Sequence, residues 1–148
     1  MIAEAYGATY MSTRQTSLAD LARQVGRPDL IFEATGNAEV CFRAMEVLAI
    51  NGVLVWTSIT GGTHPVTLDA APINLAWVLG NKLLVASVNG NRRHFELGIQ
   101  ALAYGELTYP GVTARILTHP VAGLDGYQEM MHVLEEKDAL KVFVNVAG

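Results

Sequence analysis

The polar side chains best placed for chemistry in this 148-residue chain stand where apolar runs stop. Asn81 to Phe95 reads NKLLVASVNGNRRHF, in which Leu83, Leu84, Val85 and Val88 supply the run and Ser87, Asn89 and Gly90 its polar end. Leu30 to Gly36 closes on Ala34-Thr35-Gly36, and Val53 to Ser58 closes on Thr57-Ser58. Hydroxyls and a carboxamide donate and accept hydrogen bonds without carrying charge. That is the chemistry of holding a ligand. Parallel strands buried on both faces read as continuous apolar runs, and ligands of α/β proteins bind beyond their carboxyl ends. Three such ends make a candidate crevice, with Asn89 its foremost residue.

The remaining reactive residue types read as structural. Cys41 is the only cysteine, so neither an intrachain disulfide nor a thiolate metal cluster can form. It shares helical spacing with Val40, Ala44 and Leu48, which marks a small core residue. His64, His94, His119 and His132 lack ligand spacing: His64 sits in a Gly-rich loop, read as solvent-exposed, and His94 caps or packs at a helix start. Arg92-Arg93 reads as a surface pair, and Trp56 and Trp77 as packing anchors. Glu33, a carboxylate inside a strand, needs a partner or water. No catalytic residue and no metal ligand is assigned.

These positions need an alternating scaffold. Ile2 to Met11 reads as a helix end, a stop at Gly7 and a short strand from Ala8 to Met11. Ser17 caps a helix through Gln24 that ends at Gly26. The strand Leu30 to Thr35, a helix over 38–50 and the strand Val53 to Ser58 follow, with Asn51-Gly52 as the turn. Pro72 suits the first turn of a helix running to Leu79. After the Asn81 to Asn89 strand comes an amphipathic helix from Arg93 to Tyr104 bearing Phe95, Leu97, Ile99 and Leu102. Beyond Pro110-Gly111 the pattern gives a strand over 114–118, a helix over 126–137 and a strand over 140–146. Such β-α-β alternation with short connections predicts a mostly parallel sheet flanked by helices.

A hydrophobic content of 51% with 16% charged residues describes a buried-core globule rather than a disordered chain. The net charge of −4 argues against nucleic acid. No apolar run approaches a membrane span and no secretory signal opens the chain, so a soluble, cytoplasmic protein is expected.

Three phrases in order, DLIFEATGN at Asp29 to Asn37, GVLVWTSITGG at Gly52 to Gly62 and NKLLVASVNGNRRHF, resemble the glucose (aldose) dehydrogenase branch of the zinc-type medium-chain alcohol dehydrogenase superfamily. The resemblance covers nearly the whole chain and corresponds to the carboxyl-terminal portion of such enzymes. It implies an α/β fold: a partial Rossmann-like, doubly wound, mostly parallel sheet lacking the first two strands, plus a C-terminal strand-helix-strand. Residues 1–112 would be the partial nucleotide-binding domain, and 113–148 the segment that folds back on the catalytic domain. The implied activity is oxidation of a sugar's anomeric hydroxyl to a lactone with NAD or NADP. In that picture Ala34, Thr35 and Gly36 face the cofactor, Thr57, Ser58 and Ile59 flank its ribose and nicotinamide, and Ser87, Val88 and Asn89 hold the carboxamide. Asn89 also reaches sugar hydroxyls, and Leu79 stands where the branch has a histidine sugar contact.

The glycine-rich pyrophosphate loop and the zinc-bearing domain have no counterpart here, so zinc is expected only in that other domain. The chain is therefore expected to be inactive alone, with a separately encoded zinc domain as a further possibility. Subunits of the family pair through the strand matching Lys82 to Val88, which implies a homo-oligomer. The competing reading is a non-catalytic, self-associating or partner-binding Rossmann fragment.

Overall fold

The computed structural model describes residues 2–63, 65–135 and 139–146. In chain order its elements are α1 (Ile2–Ala5), α2 (Leu18–Val25), β1 (Leu30–Glu33), α3 (Ala38–Val47), β2 (Val53–Trp56), α4 (Ala70–Leu79), β3 (Leu83–Ala86), α5 (Arg92–Thr108), α6 (Val112–Ile116), β4 (His119–Ala122), α7 (Tyr127–Glu135) and β5 (Val142–Asn145). They form two compact units, one of Met11–Asn89 and one of Met1–Tyr10 with Gly90–Gly148.

Local chemistry accounts for the first unit. Ser17 starts α2 by accepting from the Asp20 N–H at 3.1 Å, and Asn37 starts α3 by accepting from the Val40 N–H at 3.2 Å. Each α3-to-strand or α4-to-strand turn uses an asparagine in the left-handed region, Asn51 at φ 58° and Asn81 at φ 47°. The strands lie side by side in sequence order, β1-β2-β3, all parallel. Leu30 pairs with Val53, which pairs with Leu83, and Glu33 pairs with Trp56, which pairs with Ala86.

The core lies on one face of this sheet. Ala44, Leu48 and Leu54 are buried, with Ile31, Met45, Trp56, Trp77 and Leu84 packed against them. Phe42 meets Trp56 edge to face at 5.1 Å, and the Trp77 indole N–H donates to the Met45 carbonyl at 3.0 Å. Both tryptophans thus anchor packing, and Cys41 is buried as its spacing predicts. Period-two alternation sends Leu30, Phe32, Leu83 and Val85 to the opposite face, where all four are exposed.

In the second unit β4 and β5 form a parallel pair, with His119 opposite Val142. α7 packs on both strands, giving the strand-helix-strand unit its cover. Tyr6 and Tyr109 meet edge to face at 5.5 Å.

Several expectations are corrected. Residues 8–11 form no strand, because no described segment pairs with them. Residues 112–116 are helical, and the strand begins later, at His119, where pairing with β5 becomes available. α5 is longer at both ends than its periodicity suggests, and it buries none of its residues, so Phe95, Leu97, Ile99 and Leu102 face solvent. The helix over 126–137 is observed as α7 to Glu135; its last two expected residues, and His64, lie outside the described residues. No helix among the described residues is long and apolar enough to cross a membrane.

Candidate functional site

Parallel pairing brings the carboxyl ends of the three strands to one edge of the sheet. Beyond β2 and β3 lies a cavity of about 310 Å³, lined by Trp56, Thr57, Ser58, Ile59, Ala86, Ser87 and Val88. Five of the nine residues singled out from the sequence therefore share one hollow. Thr35 and Gly36 approach it from β1: a Cβ on Gly36 would lie 3.5 Å from the Ile59 carbonyl oxygen, and its φ of +68° favours glycine. Ala34 is exposed between them and the strand. Asn89 is exposed just past β3 and is not among the cavity's lining residues.

What joins the strand ends is Glu33, for which the sequence offered no specific role. Only 2% exposed, its carboxylate accepts from the Thr35 N–H and the Thr35 hydroxyl, both at 2.7 Å, and from the Ser58 hydroxyl at 2.5 Å. Its main-chain carbonyl accepts from the Thr57 N–H at 3.0 Å and from the Thr57 hydroxyl at 2.9 Å. Burial pushes the carboxyl up. Hydrogen bonds from the Ser58 side chain, the Thr35 side chain and backbone, and the Cys41 thiol together outweigh it and hold the group below the ordinary glutamate value. Conversely, burial and then the neighbouring Glu33 charge push the Cys41 thiol up, so it is a poor nucleophile. Glu33 could have been found from register: once LIFE pairs with VLVW, its side chain must sit beside Thr57-Ser58.

The other conspicuous side chains are used elsewhere. Arg92 pairs with Glu96 at 2.8 Å on the surface of α5, and the His94 Nδ1 accepts the Asn91 N–H at 3.1 Å as half of a capping box. His119 Nδ1 lies 2.8 Å from the Thr118 hydroxyl. Lys82 turns back to donate to the Leu48 carbonyl at 2.6 Å, which Arg27 also approaches at 3.4 Å. Burial, then the Arg27 charge, push the Lys82 ammonium below its ordinary value. Among the described residues, no group of three His, Cys, Asp or Glu side chains stands together as a metal site.

The family model for the glucose dehydrogenase C-terminus matches residues 1–146. The chain belongs to that family. A glucose 1-dehydrogenase of Methanocella arvoryzae is 35% identical over 143 residues, which cover 91% of this chain and 39% of that relative's length. One from Caldivirga maquilingensis is 39% identical over 104 residues, covering 68% of this chain and 28% of its own length. Among solved structures, glucose dehydrogenase from Haloferax mediterranei in complex with NADP, Zn and gluconolactone superposes with a TM-score of 0.76 at 26% identity, over 96% of this chain and 37% of that one. The likeness to 2R,3R-butanediol dehydrogenase from Bacillus subtilis, at 20% identity and a TM-score of 0.69, shows the fold alone. Membership thus agrees with the resemblance carried by the three phrases, and the chain spans well under half of these relatives.

Proposed function

We propose that this chain is the carboxyl-terminal, cofactor-binding portion of an NAD(P)-dependent glucose or aldose dehydrogenase, which oxidises the anomeric hydroxyl to a lactone. The observation that carries it is the cavity at the strand ends, where Thr57, Ser58, Ile59, Ser87 and Val88 converge beside the Thr35-Gly36 turn. Its volume and its uncharged, largely apolar wall with the hydroxyls of Thr57, Ser58 and Ser87 fit the nicotinamide and its ribose. The Haloferax relative, described with NADP and gluconolactone, favours the same ligand class. When bound, the nicotinamide supplies the hydride acceptor. In this reading Ala34, Thr35 and Gly36 border the cofactor, Thr57 to Ile59 flank it, and Ser87, Val88 and Asn89 hold the carboxamide, with Asn89 turned to the sugar.

The described residues offer no fit for zinc, which we assign to the remainder of the full-length enzyme; the isolated chain is inactive on sugar. Residues 1–112 are proposed as the partial nucleotide-binding domain and 113–148 as the closing segment. We place the protein in the cytoplasm and propose a homo-oligomer formed through Lys82 to Val88. A second reading, a self-associating fragment without catalysis, draws on the exposed Leu30, Phe32, Leu83 and Val85.

Titration of the chain with NAD and NADP, followed by tryptophan fluorescence, separates the two because Trp56 lines the cavity. Saturable quenching supports the first reading; a flat titration with normal folding supports the second.

A further inference from the structure

The direction of three hydroxyl hydrogens fixes what the β2 side of this cavity can offer a ligand. Thr57 Oγ1 lies 2.9 Å from the Glu33 carbonyl oxygen, which has no hydrogen to offer, so the hydroxyl must donate. Ser58 Oγ meets Glu33 Oε2 at 2.5 Å, and Thr35 Oγ1 meets Oε1 at 2.7 Å. An ionised carboxylate only accepts, so these hydroxyls donate too. Each has one hydrogen, and all three are spent on a single residue. The Thr35 oxygen is further occupied by the Asn37 N–H at 3.1 Å. Thr57 and Ser58 accept no hydrogen bond from the described residues, and both line the cavity. The Trp56 indole N–H does not compete, being buried below the surface without a partner among the described residues.

We infer that Glu33 is a positioning residue that sets the polarity of the β2 side of the cleft: it makes the Thr57 and Ser58 side chains acceptors only, so that side selects ligand groups that donate hydrogen bonds, such as a carboxamide NH2 or a ribose hydroxyl. The identity of the ligand rests on the nucleotide-binding reading above. The polarity itself does not.

Glu33→Gln is the decisive change, because the amide keeps nearly the same shape. Its carbonyl can still accept from Thr35, but its NH2 then faces Ser58, whose oxygen accepts there and whose hydrogen turns into the cavity. The chain is titrated with NADP, with the acetylpyridine analogue in which a methyl group replaces the carboxamide NH2, and with an analogue lacking the hydroxyls of the nicotinamide ribose. At least one analogue should bind the unmodified chain about tenfold more weakly than NADP, naming the donor that is read. That preference should weaken clearly in Glu33→Gln and in Ser58→Ala, which removes the Ser58 acceptor together with one donor to the buried carboxylate; Thr57, held by the Glu33 main-chain carbonyl, remains an acceptor in both.

A second arm needs no nucleotide. By NMR, the side-chain amide introduced at position 33 should show one hydrogen shifted downfield and protected from exchange. Freely exchanging amide hydrogens there, analogues that bind as well as NADP, or a preference undiminished in Ser58→Ala would each overturn the inference. Absence of any nucleotide binding by the unmodified chain would instead sink the proposed function, leaving the amide signal to judge the polarity. If Glu33→Gln fails to fold, Ser58→Ala alone decides.

Discussion

A carboxylate withdrawn from water is unstable unless its lone pairs are filled, and Glu33 fills them with donors from the end of its own strand and from the end of β2. Because its folded pKa is depressed, the group contributes stability that is fully present above the ordinary glutamate range. That contribution is lost as pH falls through the folded pKa. Denaturant titrations at neutral and at acid pH should show the chain weakening below the glutamate range, and Glu33→Gln should flatten that part of the profile. At this scale the sequence was informative where a residue's neighbours are its own helix: Cys41 takes its core place from spacing alone. It was silent where partners come from another strand. Glu33 and Ser58 are 25 positions apart, and only strand register joins them.

Among the elements, α5 depends most on its ends. Its apolar residues are exposed, with Phe95 at 69% and Ile99 at 68%, so tertiary burial contributes little and capping counts for more. Asn91 accepts from the His94 N–H at 3.2 Å and closes the reciprocal pair. Asn91→Ala should therefore cost about 1 kcal/mol of helix stability, read as a loss of helical circular dichroism and a lower denaturation midpoint. Asn89→Ala should leave that helix unchanged. Periodicity and capping residues located α2 and α3 to within a few residues, and Pro72 near the first turn located α4. Periodicity failed at residues 112–116, where a short run is too brief to distinguish a turn of helix from a strand, and pairing with β5 decided the matter further on.

For the molecule as a whole, the open sheet matters most. β1 and β3 are both edges, and Leu83 and Val85 are 53% and 42% exposed. Edge strands of this kind invite another chain unless blunted, and Lys82, which could discourage pairing, is committed to Leu48. Light scattering at micromolar concentration should give a mass above 15.9 kDa, and Val85→Lys should move the distribution toward it. The fold class was legible because alternation, three apolar runs and their polar ends agree with one another. The boundaries of the compact units were not, because the packing of residues 1–10 with residues beyond 89 leaves no trace in composition. The β1-β2-β3 order has one more consequence, for folding kinetics. Parallel pairing is ordinarily slow, since a whole crossover must close before strands can meet. Here, however, spatial order follows chain order, so each strand can be laid beside the one made just before it. No gap need be held open for a later arrival, and the sheet can grow from one side as the chain emerges.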